Sequence, residues 1–255
     1  MKQEISILGC GWLGLPLASK FASEGYVVHG STTSISKFDT LKSESITPYL
    51  IDISNLGDKI SGFLNSEILI IAITSKNIND FKKLLKFIET SQIKKVLFVS
   101  STSIYENLNQ IVTEESPTKN SQLHQIEKLF IENKKIKTTI VRFGGLFGYN
   151  RKPGNFLPNH KKMEDPEGFV NLIHRDDCIK IIEQLISKNI WNTILNACAD
   201  SHPKRRDFYT KENIKLGNKI TLFNENSMNE YKIISSEKLK TVLDFNFKYS
   251  DLMLY

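Results

Sequence analysis

The chain has 255 residues, enough for one or two domains with a sizeable buried core. Its make-up, 40% hydrophobic and 24% charged, is that of an ordinary globular protein and excludes a disordered or low-complexity polypeptide. The net charge is 34 − 28 = +6, but its densest groups, Lys134-Lys135 and Lys204-Arg205-Arg206, are too short to read as a nucleic-acid patch.

The elements follow in chain order. Ile5 to Leu8 is a short apolar strand, and Gly9 to Gly14 is a glycine-rich turn. Leu13, Leu17, Ala18 and Phe21 then recur at helical spacing, and Gly25 ends that helix. Strands are expected at Tyr26–His29, Tyr49–Ile53, Ile68–Ile73, Val96–Val99 and Thr139–Phe143. Helices carrying Phe81, Leu84, Leu85 and Ile88, and Leu123, Ile126, Leu129 and Phe130, separate the later ones. Strands that alternate with helices imply parallel pairing. Nearly continuous apolar runs imply a sheet covered on both faces. Residues 1–148 therefore read as a doubly wound α/β domain of the Rossmann type. Residues 149–168 hold three prolines and two glycines and read as a long loop. A helix at 176–188, a strand at Thr193–Ala197 and short helices near 207–216 and 236–243 complete a small mixed lobe, 149–255, expected on the substrate side.

Cys10, Cys178 and Cys198 are far apart and odd in number. They read as reduced, buried thiols of a cytoplasmic protein, with no disulfide framework and no metal site. The opening MKQEISILGCG is cut by glycines too early for a signal peptide. The longest aliphatic run, ILIIAI, has the length of a strand, so no membrane partner is expected.

Gly9, Gly11 and Gly14 form G-x-G-x-x-G directly after a strand and at the start of a helix. The first glycine allows the tight turn, and the second lets a pyrophosphate approach the backbone. The third lets the helix pack on the strand and hold the anion at its N-terminus. Trp12 and Leu13 lie between them. At the end of the second strand an acidic residue would bind the 2′-hydroxyl of NAD. This chain has Ser31 and Thr32 there, which favours NADP over NAD, with Lys37 the nearest cation. Asp52 is placed either to accept from an adenine amino group or to cap a turn.

Taken together, these segments resemble the extended short-chain dehydrogenase/reductase superfamily, its NAD-dependent epimerase/dehydratase group, and within it the atypical YeeZ-type proteins. ILGCGWLGLPLA is similar to the YeeZ-type glycine loop. VSSTSIY, TEESP, VRFGGLFG, VNLIHRDD and LNACADSHP resemble successive family segments in the family order. The resemblance implies that Ser101 is the hydroxyl that bonds the substrate oxygen, with Ser100 beside the cofactor. It implies that Tyr105 is a pocket wall rather than the acid. The family's acid is a Tyr-x-x-x-Lys pair on the helix after TEESP. Here that stretch reads PTKNSQLHQIEKLF and places Lys119 and Leu123 at the two positions. No tyrosine occurs between Tyr105 and Tyr149. His124, in mid-helix, and His174, in IHRDD, are the substitute acids to weigh, because an imidazole titrates near neutrality. Arg142 and Arg151 are candidates to meet an anionic substrate.

The expected function is hydride transfer at an oxygen-bearing carbon of a sugar-nucleotide-like or other small substrate, with NADP or NAD as cofactor. Its partners would be the dinucleotide and the small molecule, with a second copy of the chain left open. A dinucleotide sensor or scaffold that dropped the acid is the rival. A 3-hydroxyacid-type dehydrogenase is a second one, but the tail after 145 is too short and too mixed for its all-helical domain.

Overall fold

A computed structural model describes residues 3–57, 59–156, 161–218 and 222–255. The elements are β1 (Glu4–Leu8), α1 (Gly14–Ser23), β2 (Val27–Thr32), α2 (Phe38–Ser43), β3 (Ile46–Leu50), α3 (Lys59–Phe63), β4 (Ile68–Ile71), α4 (Ile78–Glu89), β5 (Lys95–Ser101), β6 (Ile111–Val112), α5 (Gln122–Ile131), β7 (Lys137–Phe143), β8 (Gly145–Phe147), β9 (Leu172–His174), α6 (Arg175–Ser187), β10 (Ile194–Ala197), α7 (Arg205–Lys215), β11 (Ile233–Ile234) and α8 (Glu237–Leu243). Seven strands form one sheet in the order β10-β7-β5-β4-β1-β2-β3. The pairs β3–β2, β2–β1, β1–β4 and β4–β5 are parallel. Strand order reverses beside β1, which is where open α/β sheets place their ligands. No helix among the described residues is long and apolar enough to cross a membrane.

Most of the expected strand boundaries shift by one to three residues, and two strands show why. β2 runs on to Thr32, because Gly30, Ser31 and Thr32 pair with Pro48, Tyr49 and Leu50 of β3. β3 starts and ends earlier than the apolar run suggested, since Asp52 caps a short 3₁₀ turn at Ile53–Asn55 and breaks the strand. Helices α2 and α3 are six and five residues long, too short to leave a periodic signal.

The chain divides into two compact units that interleave in sequence. Residues 1–100, 120–141 and 182–194 form one; 101–119, 142–181 and 195–255 form the other. The first unit has a core of Leu8, Phe63, Phe81, Phe98, Ile126 and Phe130 among others. Burying each such side chain stabilises by about 1.5–3 kcal/mol. The second unit holds the parallel pairs β8–β9 and β6–β11. Its apolar clusters centre on Phe147, Leu172 and Phe208, and on Ile104, Tyr105 and Cys198.

Candidate functional site

The glycine turn belongs to the first unit. Gly9 has φ +100°, a region that L side chains avoid, and a Cβ there would lie 2.7 Å from the Ala72 carbonyl oxygen. A Cβ on Gly14 would lie 2.1 Å from the Gly9 carbonyl oxygen, so α1 seats directly on the turn. A Cβ on Gly11 would meet nothing within 4 Å. Two glycines thus serve close packing, while the third faces open space. Helix α1 opens there with no side-chain cap at Leu13 and no acidic residue in its first turn. The N-terminal end of the helix is therefore left to an anion. These residues fit the pyrophosphate of a dinucleotide. Leu13 is buried, so only its backbone can serve that role, and Trp12 is half-buried beside it.

The neighbouring candidates take other roles. Ser31 is buried, and its hydroxyl accepts from the Gly9 amide at 2.8 Å while its carbonyl accepts from the Cys10 amide at 2.8 Å. It braces the turn from behind. The Thr32 hydroxyl, also buried, accepts from the Ser34 amide at 3.1 Å. Asp52 is exposed and its carboxylate accepts from the amide and hydroxyl of Ser54, which hold its pKa below the usual range. It is the turn cap of the two readings. Cys10 is an inert thiol, pushed up to about 12 by burial. The Ser100 hydroxyl, buried, donates to Glu127 of α5 at 2.5 Å. Leu123 of α5 sits in the core. His124 is half-buried on α5, and its amide donates to the Ser121 cap.

In the second unit, Ser101 ends β5 and its hydroxyl accepts from the Ser103 amide at 3.1 Å, capping a 3₁₀ turn. The same side chain lines a cavity of about 810 Å³. Tyr105 and Arg142, expected in the pocket wall, are instead buried away from it. The Tyr105 hydroxyl accepts from Arg142 Nη1 at 2.7 Å and donates to Asn196 Oδ1 at 2.8 Å. Glu114, from TEESP, accepts from the Asn196 amide at 2.6 Å. Four motif segments are thus locked together by one polar chain, which costs dearly if any member is removed. Arg151 stacks over Phe156 at 5.9 Å and does not line the cavity.

His174, the other candidate acid, belongs to the second unit. It is 3% exposed and enclosed by the rings of Phe147, Tyr149, Tyr249 and Tyr255. Its Nδ1 accepts from the Asp176 amide at 3.2 Å. Burial lowers its pKa, against the pull of Asp176. The acids of IHRDD act as clamps. Asp177 accepts from the amides of Lys248 and Tyr249, and Asp176 accepts from the Tyr149 hydroxyl at 2.8 Å.

The cavity also holds residues that the sequence left unmarked, above all Lys232, Arg205 and Tyr209. Lys232 Nζ donates to the Tyr105 carbonyl oxygen and to Asn107 Oδ1, both at 2.9 Å. Burial, joined by the nearby charges of Lys119 and Arg205, brings its pKa down to about 8. No spacing singles out this lysine among 34 basic residues.

A Rossmann-type sheet with a pyrophosphate-fitting glycine turn at its switch point defines a dinucleotide fold. The NAD-dependent epimerase/dehydratase family model matches residues 5–176, and the chain belongs to that family. It is similar to protein YeeZ of Escherichia coli (strain K12), 28% identical over 267 residues, covering 98% of this chain and 97% of that protein. A functionally unknown conserved protein from Silicibacter pomeroyi DSS has the same fold, with a TM-score of 0.82 and 15% identity over 99% of this chain and 96% of that one. UDP-glucuronic acid 4-epimerase from Bacillus cereus in complex with NAD has a TM-score of 0.76 and 17% identity over 98% and 95%. A short-chain dehydrogenase/reductase superfamily protein from Agrobacterium tumefaciens with bound NAD has a TM-score of 0.78 and 14% identity over 98% and 94%.

Proposed function

We propose that the protein is an NAD(P)-dependent oxidoreductase or epimerase acting at an oxygen-bearing carbon of a sugar-nucleotide-like substrate. The observation that carries this reading is the open face of Gly11 at the uncapped start of α1. Gly9, Gly11 and the amides from Trp12 to Gly14 would hold the pyrophosphate. When bound, the nicotinamide exchanges a hydride with a substrate carbon. The chain's own part is to bind and orient that substrate. Ser101 lines the cavity, and its hydroxyl, which accepts from the Ser103 amide with one lone pair, would donate its proton to the substrate oxygen. The lack of the family's tyrosine and lysine favours a second reading, a dinucleotide-binding sensor.

Titration with NADH and NADPH, followed by nucleotide fluorescence, is the test. We expect micromolar binding by the wild type and its loss in Gly11→Asp, whose carboxylate would occupy the pyrophosphate position. The comparison of the two nucleotides assigns the 2′-phosphate preference. Failure of folded protein to bind either nucleotide overturns both readings. Binding without turnover across a panel of nucleotide sugars favours the sensor.

A further inference from the structure

We propose that Lys232 is the specificity-determining cation of the cavity, and that its ammonium receives an anionic group of the substrate, phosphate or carboxylate. The inference rests on the reading above, in that the cavity is taken to bind the substrate.

Four observations meet at this side chain. Its two hydrogen bonds go to neutral acceptors, a carbonyl and an amide oxygen. An ammonium has three donors, so one remains for a ligand. Second, no carboxylate among the described residues lies within ion-pair distance of it. Its cationic neighbours differ: Arg205 pairs with Asp165 at 3.1 Å and Lys119 with Glu106 at 3.7 Å, and Glu106 opposes those cations at Lys232 with a smaller, longer-range attraction. Third, the lysine is half-buried in the wall of a cavity that Lys161, Lys162 and Arg205 also line. The lining carboxylate, Glu164, already accepts from Asn224. A partly desolvated charge with like charges around it is unfavourable until a counter-ion arrives. Fourth, its place is built rather than floppy. Asn109 and Tyr231 exchange hydrogen bonds on one side of it, and Ile233 donates to the Gln110 carbonyl on the other. The ammonium is thus held ready, which limits the entropy lost when an anion binds.

The test is calorimetric titration of the full chain at about pH 8 with UDP-glucose and UDP-glucuronate, using wild type, Lys232→Met and Lys232→Arg. We expect Lys232→Met to bind at least one ligand roughly tenfold more weakly, and Lys232→Arg to stay within a few-fold of wild type. Loss with both ligands assigns the lysine to the phosphates, and loss with UDP-glucuronate alone assigns it to the sugar carboxylate. Buffers of different ionisation enthalpy supply a second readout. The wild type takes up a fraction of a proton on binding, because an ammonium that titrates at about 8 is recharged by the anion. Lys232→Arg takes up none from this position, since a guanidinium stays charged. Lys232→Met binding both ligands like wild type, or a wild type that binds neither ligand or takes up no proton, overturns the proposal. Melting curves establish that each variant is folded. NADH and NADPH titrations of the same variants separate this failure from that of the functional reading, which falls only when the dinucleotides do not bind.

Discussion

Ser101 and Tyr105 stand four residues apart, and their environments give them opposite work. Ser101 lines a cavity and has a donor to spare; Tyr105 is fully buried, with its hydroxyl claimed by Arg142 and Asn196. Burial raises the tyrosine's pKa, with Arg142 opposing. A hydroxyl so placed stabilises and does not titrate near neutrality. Tyr105→Phe is expected to cost about 1–3 kcal/mol, because it strands a buried guanidinium donor and an amide oxygen. Thermal denaturation should show the loss, while dinucleotide affinity stays unchanged. Ser101→Ala should lose about 1 kcal/mol for its cap but fall much further in substrate turnover. The motif around both residues was legible in the sequence. The polar chain that claims the Tyr105 hydroxyl was not, because it depends on Asn196, 91 residues away.

At the scale of the element, the glycine turn is a packing device and a binding device in one. Gly14 touches the Gly9 carbonyl, so Gly14→Ala must push α1 away from β1. Overpacking of that kind costs about 1–3 kcal/mol and should lower the midpoint of urea unfolding. Gly11→Ala has open space and should leave that midpoint within about 0.5 kcal/mol of wild type while weakening dinucleotide binding. The turn's sequence predicted its shape, since local backbone conformation needs glycine at these spacings. The brace that Ser31 supplies to the turn comes from the next strand and leaves no local signal. β2 continues two residues past Gly30, whose chemistry suggests a turn, and pairing with β3 overrides that local preference.

At the scale of the whole molecule, stability is tied to pH through buried imidazoles. The folded pKa of His174 lies below 6.5, chiefly through burial, and that of His202 shifts the same way. Between the folded and unfolded values the unfolded chain holds a proton that the folded chain rejects. Stability is therefore complete above about pH 6.5 and declines as pH falls toward the folded values. Urea unfolding of wild type should show a lower midpoint at about pH 5.5 than at 7.5, and His174→Gln should shrink that difference without abolishing it, since His202 remains. His174 also illustrates why chemistry cannot be assigned from residue type. In IHRDD it looked like an acid; in the fold it fills an aromatic cage. What the sequence alone determined is what rests on short-range order: the alternating strands and helices, and the glycine turn. Hydrophobic periodicity and backbone sterics act over a few residues and can be read directly. The tertiary structure alone decided which polar groups are spent and which remain available. Lys232 meets Tyr105 across 127 residues of chain, and a partner at that distance determines burial, charge and the donor left for a ligand.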